Sequence, residues 1–112
     1  MEKNTLDKFR GADKPRVVQV VPTDDYKVYV YFTDDTIHLV DMKPEIRPGT
    51  VFEPLSDIEF FKIRCTPMLG TLAWDMTGDY DETKCVDLAP EWVYDFPEVS
   101  DPLTEESAVS AA

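Results

Sequence analysis

Soft metal ligands and nucleophiles are scarce in this chain, which holds one histidine and two cysteines among its 112 residues. Cys65 and Cys85 form no CxxC pair, and adding His38 gives three scattered candidates where a structural zinc site usually takes four N/S ligands. Without an export signal to place them in an oxidising compartment, the two thiols read as ordinary free cysteines. There is no G-x-S-x-G, no Walker pattern and no G-x-G-x-x-G, and the four glycines stand singly. No catalytic residue, metal ligand or cofactor site is therefore expected, and Ser56 is better explained as a helix cap than as a nucleophile. Long apolar runs are missing too. No stretch approaches the roughly 18 residues of a spanning helix, and the opening MEKNTLDKFRGADK has mixed charge and no apolar core. Neither a membrane span nor export is expected, which leaves the cytoplasm as the default location.

Basic residues are missing from one end. Residues 1–72 carry twelve acids and ten bases, whereas residues 73–112 carry eleven acids and the single base Lys84, so −10 of the formal −12 lies there. Such an end repels phosphates, and direct binding to nucleic acid is not expected. It either keeps a small protein soluble or docks on a basic protein partner, and salt-sensitive binding separates the two.

What is present is a strong β signal. The stretch KVYVYFTDDTIHLVD over residues 27–41 consists of two runs rich in β-branched and aromatic residues on either side of two aspartates. Alternation puts Val28, Val30 and Phe32 on one face, the expected core face, with Lys27, Tyr29 and Tyr31 on the other. A two-residue loop at Asp34-Asp35 would need positive φ at both, and Asp35 sits where glycine is cheapest. Tyr29, Tyr31 and His38 are expected to share the face opposite the valines. That face is either covered by the two short helices or the long proline loop of the same chain or serves as a dimer or partner interface, since tyrosine adds large area with a polar tip. RVVQVV over residues 16–21 reads as a preceding strand, making a three-strand antiparallel meander.

Beyond it, MKPEIRPGTVFEP has too many prolines for a regular element and reads as a surface connection. Ser56 and Glu59 have the spacing of a capping box for a short helix from Asp57, with Leu55 stapled on Phe60. Residues 63–65 read as extended, TPMLG as a turn, and TLAWD as a strand with Leu72 and Trp74 inward. MTGDYDETK reads as an acidic loop. VDLAPEWVY reads as a second short helix with Pro90 in its first turn and Trp92 and Val93 over the core. The expectation is one small α+β domain with a mainly antiparallel sheet of about five strands and one or two short helices. It spans residues 15–97, after a flexible segment at 1–14 and before a flexible acidic tail at 98–112.

The densest polar group is Asp75, Asp79, Asp81, Glu82 and Asp87. Asp79-x-Asp81 opens like a calcium loop, but the sixth position is Lys84 rather than glycine and the twelfth is Pro90 rather than glutamate. A solvated loop fits better.

The order of features resembles a bacterial family known as domain of unknown function 2442. The matching pieces are PRVVQVVPTDDYKVYVYF, the acidic turn with the run ending in Val40-Asp41, Phe60-Phe61, GTLAWD and DLAPEWVYD, together covering residues 15–96. The connection from the Trp strand to DLAPE looks lengthened by TGDYDETKCV. The resemblance implies a small α+β domain with no known catalytic residues, often paired with a second small protein as in toxin–antitoxin systems. The expected function is thus a non-catalytic interaction module, antitoxin-like in its narrower form. Its candidate surface comprises Tyr29, Tyr31, His38, Asp79, Asp81 and Glu82, and its partner is a basic protein. Two alternatives stand beside it: a small metal-dependent hydrolase built on the carboxylates from Asp75 to Asp87, and a self-associating homodimer.

Overall fold

A computed structural model of the chain describes residues 9–103. The expected flexible N-terminal segment up to residue 8 and the acidic tail from residue 104 lie outside the described residues. The meander forms as its alternation dictates: β1 (Val17–Pro22), β2 (Lys27–Phe32) and β3 (Ile37–Asp41) pair antiparallel in that order. A bulge between Val17 and Gln19 throws Val18 out to solvent. Val28, Val30, Phe32 and Val40 are buried on the inner face.

The β2–β3 turn differs from the expected two-residue loop, and the difference matters. Asp35 N–H donates to Phe32 O (3.1 Å) and Phe32 N–H to Thr36 O (3.0 Å), while Asp35 alone takes a positive φ of 68°. This is a three-residue loop, a type I turn followed by a left-handed bulge residue. Asp34 braces it by accepting Thr36 N–H (3.1 Å) and Thr36 Oγ1–H (2.6 Å). The extra loop residue shifts the register, so Val30 faces His38 and Tyr31 faces Ile37. His38 therefore belongs to the inner face rather than to the tyrosine side, and it is 4% exposed.

A second antiparallel sheet follows: β4 (Cys65–Met68), β5 (Thr71–Asp75) and β6 (Cys85–Asp87), with β5 in the middle and buried throughout. TPMLG is thus mostly strand. Pro67 is tolerated because β4 is an edge, and the reversal is the tight pair Leu69-Gly70, both at positive φ (55° and 80°). Val86 and Asp87, expected to be helical, pair instead with Trp74 and Ala73. The two sheets meet where Val17 N–H donates to Gly70 O (3.0 Å).

Helix α1 (Ile58–Arg64) is capped by Asp57, whose carboxylate accepts Glu59 N–H (3.1 Å); Ser56, the expected cap, ends the preceding 3-10 turn Glu53–Ser56. Helix α2 (Pro90–Tyr94) starts at Pro90 as expected and buries Val93 and Tyr94, while Trp92 stays 37% exposed. Leu55, Phe61, Leu72, Trp74 and Val93 complete one core with the inner valines of the meander. Trp74 Nε1–H donates to Phe61 O (3.0 Å), so the largest core side chain is also satisfied as a donor.

Candidate functional site

The outer face of the meander is the feature that the core leaves unexplained. Val21, Tyr29 and Leu39 lie in one cross-strand row, and Gln19, Tyr31 and Ile37 in the next. The five apolar or aromatic members are each half-buried, and none belongs to the residues packed against the core. In the two helices and the proline-rich connection, Ile46, Phe52, Leu55, Phe61 and Val93 are all in or against the core, while Val51, Ile63 and Trp92 are exposed. Those five therefore do not cover the tyrosine face, the role expected of these elements.

What does reach this face is the chain past α2. Leu39 N–H donates to Pro97 O (3.0 Å) and Val99 N–H to Ile37 O (2.8 Å), and Glu98 bridges His38. Pairing therefore continues beyond residue 97, where the domain was expected to end. Alternation places Pro97 and Val99 on the tyrosine side, lengthening both apolar rows by one residue. The chain then returns over Tyr31, whose hydroxyl donates to Asp101 Oδ1 (2.6 Å). Burial and the Asp101 carboxylate together hold the Tyr31 phenol above its ordinary range.

His38 has a structural role on the other side of the sheet. Its Nδ1–H donates to Phe96 O (2.7 Å), since a carbonyl can only accept, and Nε2 lies 3.1 Å from Thr36 Oγ1. Its ring rests against Tyr94 (centroids 4.4 Å apart), whose hydroxyl donates to Asp34. The histidine thus ties the end of α2 to β3, which explains its burial without invoking chemistry.

The acidic loop is a separate feature, on the second sheet. Asp75, 8% exposed, accepts the amides of Thr77 (3.2 Å), Gly78 (3.0 Å) and Tyr80 (2.8 Å). Burial alone would raise its carboxyl, but these amides, with Arg64 nearby, hold it below its ordinary value of 3.8. Asp81 caps the 3-10 turn Glu82–Lys84 by accepting Thr83 N–H (2.9 Å) and Thr83 Oγ1–H (2.6 Å), and these bonds lower its carboxyl too. Asp79 and Glu82 are exposed. Among the described residues no group of three or more His, Cys, Asp or Glu side chains is placed to hold a metal ion. Asp75, the most buried of the five carboxylates, spends both oxygens organising its own loop. Cys65 and Cys85 flank β5 opposite Trp74 and Asp75, hence on opposite faces of the sheet, and both are free. Burial pushes both thiols up, with Asp87 adding to the effect at Cys85, so neither is activated.

A cavity of about 170 Å³ lined by Tyr26, Lys43, Ile46 and Ser56 is smaller than ordinary ligand pockets. Tyr26 donates its hydroxyl to Ser56 O. No described helix is long and apolar enough to cross a membrane.

Tyr29 and Tyr31 of this surface stand out in the sequence by residue type. Val21, Ile37, Leu39 and Val99, members of the same surface, do not. The alternation of residues 37–40 held the clue for two of them, once the loop length is known. No curated protein and no solved structure matches the chain. Residues 17–96 match the family model described as "Protein of unknown function (DUF2442)", most of the chain and the whole of both sheets, so the chain belongs to that family.

Proposed function

We propose that this protein is a non-catalytic protein-interaction module that works through the outer face of β1–β3. The observation that supports it is a two-row apolar surface of Val21, Tyr29, Leu39, Tyr31, Ile37 and Val99 that adds nothing to the core. A face of this kind has a cost in water and a use at an interface, where tyrosines bring area without much rotamer entropy. The charge of −12 favours a basic protein as partner and disfavours association with a second copy. A neutralising role in a two-protein system is the narrower form of this reading and rests on the family resemblance.

The test is a Tyr29→Ser, Leu39→Ser variant, verified to melt like the parent. Used as bait in native cell extract, the parent should retain a partner in a salt-sensitive manner and the variant should lose it. Identical retention by both, at every salt concentration, overturns the assignment to this face.

A further inference from the structure

The chain past α2 occupies the place a binding partner would take, and this step rests on the module reading above. Three observations bear on it. Residues 97–99 add to the β3 edge through Leu39 N–H to Pro97 O and Val99 N–H to Ile37 O, with Pro97 and Val99 alternating onto the tyrosine side. The family match covers residues 17–96, so β1–β3 lie inside it and the segment that pairs with the β3 edge lies outside it. The added segment is a poor strand by its own composition, PEVSDPL, with prolines at 97 and 102 and two carboxylates between them. Its register and its hold on Tyr31 through Asp101 follow the lines of strand addition to an open edge, in which backbone bonds supply affinity and alternate side chains supply fit.

We propose that residues 97–103 are a built-in stand-in for a partner strand. An extended segment of the partner, with apolar side chains at alternate positions, displaces them from the β3 edge and from Tyr31. It then pairs with β3 in their place. The partner gains both the freed N–H and C=O groups of Leu39 and Ile37 and the apolar rows beside them. Release of the segment is a local opening that leaves the core intact, because none of its residues is in the core cluster.

Amide hydrogen exchange on the full chain tests this directly. The Leu39 and Val99 amides should exchange together, at least about 100-fold faster than the amides of β2. As a probe, a capped peptide Lys-Val-Thr-Val-Lys should slow exchange at Leu39 while Val99 becomes unprotected, and a Val99→Pro chain should bind it more tightly than the parent. A version of the peptide with proline at its central position should do neither. Leu39 and Val99 exchanging as slowly as β2 overturns the proposal, as does a dimer in which two copies trade residues 97–103. If the peptide shifts Tyr29 and Val21 while Leu39 and Val99 stay paired, the face binds without strand exchange; the stand-in is then overturned and the module reading survives. If neither face nor edge responds, both fail.

Discussion

Two adjacent aspartates in the β2–β3 turn should respond differently to substitution. Asp35 holds a φ of 68°. An L-residue in the left-handed region costs about 1–2 kcal/mol, and aspartate sits at the low end of that range. Glycine removes the strain but gives back roughly 0.5–1 kcal/mol in unfolded-state freedom. Asp35→Gly should therefore be neutral or stabilise by up to about 0.5 kcal/mol, a rise of at most about 4 °C in Tm for a domain of this size. Asp34→Ala should destabilise. It removes the acceptor for Thr36 N–H, Thr36 Oγ1–H and the Tyr94 hydroxyl, a loss of about 1–2 kcal/mol. Paired urea and thermal melts of the two variants measure both effects. A clear loss of stability in Asp35→Gly would refute the three-residue loop, and with it the register that buries His38.

Leu69 and Gly70 make a tight reversal with positive φ at both residues, and Leu69 is largely exposed. Leu69→Asn should gain about 0.5–1 kcal/mol in urea melts, because Asn-Gly is the favoured pair there. Asp75 has a folded pKa below its unfolded value of 3.8, so its contribution is complete above that pH and disappears as pH falls through the folded value. An Asp75→Asn variant should melt lower than the parent at neutral pH. Its Tm should also fall less steeply than the parent's once pH drops below 3.8. Parallel slopes in that range would show that the three amides do not favour the charged carboxyl.

The meander was legible because period-two alternation needs no tertiary information, and the same holds for β5, where Leu72 and Trp74 are inward as expected. His38 was misplaced by a single residue of loop length. A two-residue loop pairs Tyr31 with His38, a three-residue loop pairs Tyr31 with Ile37, and every later side chain changes face. Residues 85–87 became a strand because β5 offers them an edge, a long-range opportunity that local propensity does not register. Asp57 displaced Ser56 as the cap because the chain spends residues 53–56 in a 3-10 turn before the helix begins. The tyrosines of the candidate site stood out by type. Its aliphatic half, Ile37, Leu39 and Val99, became visible only through register and through a pairing that spans some sixty residues.

The bond between Val99 and Ile37 has a practical corollary for anyone trimming the protein to the span of its family match. Cutting after Phe96, where the family match ends, would strip the rim from β3 and leave a ready template for intermolecular ladder growth. Such a shortened polypeptide should be less soluble than the parent even though every buried side chain is still in place.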